Sequence, residues 1–187
     1  MSELYLTSDQ HFYHKNIIAY GRPFSSLEEM HEQIIARYNS VVSPDDTCMF
    51  LGDFCFGNFE KHKEIFDQLN GTKHIVLGNH DRSATSLSKL GFEVVYGPAF
   101  DITIEVAGQT AKLSHYPYAP PATGSDEDVR YLSRRKTDDG GWLLHGHRHS
   151  DKASRVRGRM IDVGVEAWDY FPVSLGELAR IIGEHNV

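Results

Sequence analysis

The chain has 187 residues, of which 40% are hydrophobic and 24% charged, and carries a formal net charge of -7. That size fits one sizeable core, so a single domain over residues 1–187 is expected. The acidic balance excludes a general electrostatic attraction to long duplex nucleic acid or to an anionic membrane surface.

A strand-like run at 4–8 starts close to the first residue, so no secretory leader is expected, and it leads into Asp9-Gln10-His11. A helix follows, with Leu27, Met30, Ile34, Ile35 and Tyr38 on one face and Ser26 with Glu29 as a capping box. A second strand at 47–51 leads into Gly52-Asp53, and Asn58 then caps a helix through Phe59, Phe66 and Leu69 that ends at Asn70-Gly71. The strand at 74–77 leads into Gly78-Asn79-His80-Asp81, and a short helix precedes Gly91. Strands are then expected at 94–96, 102–106, 111–114, 142–145 and 160–163. Ser174 and Glu177 open a last helix through Leu178, Ile181 and Ile182 that ends at Gly183. Several strands are continuous apolar runs, which need cover on both faces. The order implies α/β layers with a more antiparallel second half. Residues 116–141, opening on Pro117, Pro120 and Pro121, form a long loop or lid with a short helix expected around 126–136.

No run approaches the ~18 apolar residues of a membrane span. Cys48 and Cys55 flank the Gly52-Asp53 turn, where a disulfide would bridge a proposed ligand. Buried reduced thiols in a cytoplasmic protein are the expectation.

The ends of the strands carry the chemistry. Asp9 and His11 lie two apart and, in extended backbone, project to the same side. One hard oxygen with one imidazole suits manganese, iron or zinc; as an isolated pair it also fits a capping Asp beside a surface His. Gly52 permits a tight turn that exposes Asp53, although such dipeptides also mark ordinary turns. Asn79 supplies a neutral oxygen, His80 stays free to donate a proton, and Asp81 stands ready to orient that imidazole and raise its pKa. An Asx-turn is the alternative reading of that run. His115 closes another strand, and His147 and His149 follow Gly146, which clears room beside them. Repeated delivery of carboxylate, amide and imidazole is what a binuclear metal centre for phosphate chemistry requires.

His14, Arg22 and Arg148 are candidate contacts to a substrate phosphate, with Arg148, set between two ligands, expected to point away from the metals. His145 sits one residue too early to coordinate, and His31, His62, His74 and His185 read as surface or helix residues. Arg130, Arg134, Arg135 and Lys136 read as a solvated helix face, with a grip on an anionic substrate as the alternative.

The ordered series from residue 9 to residue 149 resembles the calcineurin-like metallophosphoesterase superfamily, with every ligand position filled. The start, Ser8-Asp9-Gln10-His11-Phe12-Tyr13-His14, and the tail, Asp162-Val163-Gly164-Val165 through Trp168 to Pro172-Val173, resemble its small bacterial and phage branch. The resemblance implies an α/β fold of two face-to-face β-sheets, a β-sandwich flanked by helices in four layers. It implies two divalent metal ions, manganese first, with iron, zinc or nickel as alternatives. Asp53 would bridge them, Asp9, His11 and His149 completing one position and Asn79, His115 and His147 the other. A hydroxide held between the metals would attack phosphorus in line, and His80, helped by Asp81, would protonate the leaving group. The implied activity is phosphoric ester hydrolysis on a small substrate, a nucleotide or similar, with a phosphodiester preferred. A phosphomonoesterase acting on a small phosphorylated metabolite is the runner-up. A non-catalytic metal-binding scaffold is a minor alternative, because no ligand position is degraded. Serine/threonine protein phosphatases carry Asp-Arg-Gly after Gly-Asp and end the later motif in Glu. Gly52-Asp53-Phe54-Cys55 and the closing Asp81 set this chain apart from them. The sequence leaves the oligomeric state open.

Overall fold

Period-two burial in the first strands sorts apolar side chains into two cores. In β2 (Thr47–Phe50), Cys48 and Phe50 face one core while Met49, and Leu51 just beyond the strand, face the other; in β3 (Thr72–Val76), Ile75 and Val76 divide in the same way. Alternation of this kind, apolar on both faces, is what a sheet covered on both sides requires. The computed structural model describes residues 2–120 and 131–185. Its remaining elements are β1 (Leu4–Thr7), α1 (Leu27–Val41), α2 (Phe59–Phe66), α3 (Ala84–Leu90), β4 (Val94–Tyr96), β5 (Ile102–Val106), β6 (Gln109–Leu113), β7 (Trp142–His145), β8 (Val156–Arg157), β9 (Met160–Asp162), β10 (Val173–Ser174) and α4 (Leu175–Glu184).

Two five-stranded mixed sheets result, in the orders β10-β1-β2-β3-β4 and β5-β6-β7-β9-β8. In the first, β1 to β4 are all parallel and β10 closes the edge antiparallel, pairing Leu6 with Val173. In the second, β6, β7 and β9 are parallel and only the outer strands β5 and β8 run antiparallel. The expectation of a more antiparallel second half therefore holds at the edges of that sheet but not at its centre. Leu6, Met49, Leu51 and Val76 of the first sheet pack against Leu113, Trp142, Leu144 and Ile161 of the second, and α4 adds Leu178, Ile181 and Ile182. On the other face of the first sheet, α1, α2 and α3 bring Met30, Ile34, Ile65 and Leu87 onto Phe50 and Ile75. Each such fully buried side chain contributes about 1.5–3 kcal/mol of transfer free energy.

The helix starts follow their caps. Ser26 accepts from the Glu29 amide, Asn58 from Lys61 and Ser174 from Glu177. The box at α1 is displaced by one residue, since the Glu29 carboxylate accepts from the Ser25 amide rather than from that of Ser26. Two helix ends differ from expectation: α2 stops at Phe66, short of Leu69, and α4 runs through Gly183 to Glu184. The two-residue strands β8 and β10 are too short for their periodicity to register in sequence. Of the helix expected at 126–136, residues 126–130 lie outside the described residues, and Leu132–Arg134 form a 3-10 turn. Among the described residues no helix is long and apolar enough to cross a membrane.

Candidate metal centre

Parallel strands have their C-terminal ends on one edge, and the loops leaving β1, β2, β3, β6 and β7 there interlock through their backbones. The Asp9 amide donates to the Gly52 carbonyl, the His11 amide to Asp53, and the Gly146 amide to His115, at 3.0, 3.0 and 3.1 Å. Such close approach demands glycine. A Cβ on Gly52 would lie 2.6 Å from His115 Nδ1, and one on Gly146 would collide with Ser8 Oγ and Asp9 Oδ2. Asp9, His11, Asp53, His147 and His149 all adopt left-handed backbone, with φ between 51° and 72°. That corrects the extended backbone expected for Asp9 and His11. The two ligands converge because each residue is turned back on itself, a conformation that costs of order 1–3 kcal/mol per non-glycine residue and persists where the surroundings impose it.

Each carboxylate has one oxygen engaged and one directed inward. Asp9 Oδ2 accepts from the His147 amide at 2.8 Å, while Oδ1 is buried without a hydrogen-bond donor, 3.7 Å from His11 Nε2 and 3.8 Å from His149 Nε2. Asp53 Oδ1 accepts from the His80 amide at 2.9 Å, while Oδ2 lies 3.5 Å from His11 Nε2 and 3.6 Å from His115 Nε2. His115 donates Nδ1–H to the Leu51 carbonyl at 2.7 Å, so its Nε2 presents a lone pair. That lone pair faces the Asn79 Oδ1 acceptor at 3.0 Å. His149 donates Nδ1–H to Glu166 Oε1 at 2.8 Å and turns its Nε2 toward His11 Nε2, 3.2 Å away. Two acceptors facing each other, as His115 Nε2 and Asn79 Oδ1 do, repel unless a cation lies between them, and the buried Asp9 Oδ1 lacks a donor, so the donor set fits metal ions. The acidic and imidazole ligands fall into two overlapping groups, Asp9 with His11 and His149, and Asp9 with Asp53 and His115.

The electrostatics agree with a site built for positive charge. Burial would push the Asp9 carboxyl up, but His11, His149 and His115 hold it well below the usual carboxylate range. Asp53 is pushed up to about 7 by burial and by the charges of Asp9 and Asp81, against the pull of His115. His149, despite burial, is raised to about 9 by Glu166 and Asp9, whereas burial lowers His11 to about 4.

The other expected residues divide. His147 lies beside His115, ring centroids 5.1 Å apart, and lines the same cavity. That cavity, about 590 Å³, is also lined by His14, His80, Tyr20 and Tyr131. His80 is exposed at its mouth, its ring tilted against Phe56, and its pKa is lowered by burial and by His14 and His115. Asp81 does not orient that imidazole. Its carboxylate accepts from the backbone amides of Asp53, Phe54 and Gly78 at 2.8, 2.9 and 2.8 Å, pinning the β2 and β3 loops together.

Arg22 is no free phosphate contact, because its buried guanidinium is committed to the Asp9 and Gln10 carbonyls and to Glu166. Arg148 is exposed and lines a neighbouring concavity with Ser154 and Arg157. His145 is buried and donates Nδ1–H to the Gly146 carbonyl at 2.7 Å. His31 and His62 are helix residues as expected, but both face inward: His31 Nε2 accepts from the Tyr13 amide, and His62 donates Nδ1–H to the Asn58 carbonyl. The expected solvated basic face is likewise only partial. Arg135 is buried, Arg134 donates to the Tyr116 hydroxyl and Lys136 pairs with Asp101; Arg130 lies outside the described residues. The residue that sequence reading missed is Glu166. It follows the end of β9 as the candidate ligands follow their strands, and that placement was the available signal.

Comparison with known proteins agrees with this geometry. Residues 3–168 match the model of the calcineurin-like phosphoesterase superfamily domain. An uncharacterized protein of Methanocaldococcus jannaschii is 32% identical, covering 100% of this chain and 95% of its own length. The gene 66 protein of Mycobacterium phage L5 is 32% identical over 90% of this chain and 88% of its own. The crystal structure of a protein of unknown function from Aquifex aeolicus superposes with a TM-score of 0.72 at 32% identity, covering 97% of this chain and 100% of that one.

Proposed function

Because the chain belongs to the calcineurin-like phosphoesterase superfamily, we propose that it is a binuclear metal-dependent phosphodiesterase acting on a small ester such as a nucleotide. The observation that carries this reading is Asp53 Oδ2, which faces His11 at 3.5 Å and His115 at 3.6 Å while its partner oxygen is held by the His80 amide. From there Asp53 would bridge an Asp9, His11 and His149 set and an Asn79, His115 and His147 set. Mixed carboxylate, amide and imidazole donors suit manganese, with iron, zinc and nickel as alternatives. Bound divalent cations lower the pKa of water and neutralise charge on phosphoryl oxygens.

The chain's own residues supply the rest. Among the described residues no side-chain hydrogen bond ties up the His80 ring, and its pKa, lowered by burial, makes the imidazolium a stronger acid toward a departing alkoxide. Asp81 serves that step by locking the loop that carries His80. Two exposed tyrosines favour a diester over a monoester. Tyr20 stands beside His14 and Tyr131 beside His147, ring centroids 5.8 and 5.7 Å apart, so aromatic surface flanks both ligand sets. A phosphodiester sends a substituent to each side, and planar substituents such as bases stack on aromatic rings. Cys48 and Cys55, both free and buried, fit a reducing cytoplasm.

The test is turnover of bis-p-nitrophenyl phosphate and of p-nitrophenyl phosphate with manganese, iron, zinc or nickel. Faster metal-dependent cleavage of the diester is expected. Preference for the monoester would establish the alternative reading, and no turnover on either ester with any of these ions would sink the enzyme assignment.

A further inference from the structure

Arg22 and Glu166 lie 144 residues apart in sequence and meet beside the metal ligands. Glu166 Oε1 accepts from Arg22 Nε at 2.8 Å, lies 2.7 Å from Arg22 Nη2, and also accepts from His149 Nδ1 at 2.8 Å. The same guanidinium donates to the Asp9 carbonyl at 2.5 Å and to the Gln10 carbonyl at 2.6 Å. A closed ring results, running from the Asp9 carbonyl through Arg22, Glu166 and His149 back to the Asp9 carboxylate, which His149 Nε2 faces at 3.8 Å.

We propose that Arg22 and Glu166 are a positioning pair that sets the occupancy of one metal position, the one formed by Asp9, His11 and His149, independently of the other. The proposal rests on the binuclear reading above and adds to it a selective control.

Glu166 fixes the tautomer and tilt of His149, so that the Nε2 lone pair points at the shared position; partners of this kind typically change metal affinity by about 10–100-fold. Arg22 holds the carbonyls of a loop in which Asp9 and His11 both sit in left-handed backbone, at φ 59° and 51°. Two neutral carbonyls and one carboxylate oxygen take four of its five donors and the Met30 sulfur faces the fifth, in a planar fork that a lysine does not reproduce. Between them the two residues of the pair bond to Asp9, Gln10 and His149, and the described anchors of the second set are of another kind. His115 is held there by the main-chain carbonyl of Leu51, and Asp53 by the His80 amide.

The experiment is a manganese titration followed by calorimetry, on the wild-type chain and on Glu166→Ala, Glu166→Gln and Arg22→Lys, with thermal melts of the metal-free proteins alongside. Wild type is expected to bind two ions per chain. In Glu166→Ala one ion should bind about 10–100-fold more weakly while the other keeps its affinity. Glu166→Gln, which retains an acceptor for His149 Nδ1–H, should recover part of the loss, and Arg22→Lys should weaken the same ion. Equal weakening of both ions, or no weakening of either, in variants that melt like the wild type overturns the positioning role. If Glu166→Ala does not fold, the Gln and Lys variants carry the same comparison. Fewer than two ions on the wild type overturns the binuclear reading itself, a failure distinct from that of the pair.

Discussion

His115 and His149 each donate an Nδ1–H, to acceptors of different kinds. His115 gives its hydrogen bond to the carbonyl of Leu51, a main-chain group at the end of a central strand. His149 gives its own to the carboxylate of Glu166, a side chain held in turn by Arg22. Around them the contrast repeats. Asp53, Asn79 and His115 sit on loops joined by amides, with Asp81 gathering three of them. Asp9, His11 and His149 depend on a side-chain ion pair, whereas left-handed backbone is common to both halves, at Asp53 and His147 as well. A main-chain acceptor such as the Leu51 carbonyl is built with the sheet itself and carries no charge to be titrated. An ionic brace holds only while both partners are charged and in register. The half formed by Asp9, His11 and His149 is therefore expected to be the adjustable one, where metal exchange and regulation would act.

The largest expected effect sharpens the comparison from the backbone-anchored side. His80→Ala should lower kcat by about 10²–10⁴-fold on a diester with an alkyl leaving group. It should lower it far less on an aryl ester, whose leaving group needs no proton. Both ions should stay bound, because the His80 amide rather than its ring supports Asp53. Equal loss on both esters would remove His80 from the role of acid.

Gly146→Ala strikes the seam between the halves, where the added Cβ meets Ser8 Oγ and the oxygen of Asp9 that accepts from the His147 amide. Overpacking there should cost about 1–3 kcal/mol in urea unfolding of the metal-free chain. Manganese binding should weaken most at the position using Asp9. An unchanged denaturation midpoint would show that the seam has slack.

The smallest effect is a pH slope. His149 has its folded pKa raised to about 9 from 6.5, so its contribution to stability is fully present below pH 6.5 and is lost as pH rises through about 9. The shift of Asp53 has the same sign and is lost as pH rises through about 7. His11, lowered to about 4, acts with the opposite sign below pH 6.5, and burial raises Asp162 too, so the part due to His149 is read as the difference between the wild type and Glu166→Gln. The melting temperature of chelator-treated protein should fall across the interval from about pH 7 to 9, with a shallower fall in Glu166→Gln. A flat profile in the wild type would count against the ionic brace.

Much of this centre was legible in the sequence because its chemistry sits at strand ends. Asp9, His11, Asp53, Asn79, His115, His147 and His149 each follow an apolar run, and the parallel order of β1, β2 and β3, like that of β6 and β7, carries those ends to one edge. Gly52 marked a tight turn and Gly146 the room cleared beside two histidines. What was not legible depends on contacts across the fold. The left-handed backbone at Asp9 and His11 is imposed by carbonyl and amide partners on other loops, which no local pattern records. Asp81 read as a partner for its neighbour His80, yet Asp53 and Phe54, nearly 30 residues away, supply two of its three donors. Arg22 read as a phosphate contact because its burial against Glu166 exists only in three dimensions. Spacing identifies ligands; the groups that hold them come from elsewhere in the chain.

A pair of metal ions sharing Asp53 can be seen by electron paramagnetic resonance of the manganese-loaded protein. The wild type should give the multi-line signal of two exchange-coupled ions, with coupling lost in Asp53→Asn. A signal from isolated ions in the fully loaded wild type, or coupling that survives the loss of Asp53, would contradict that pairing.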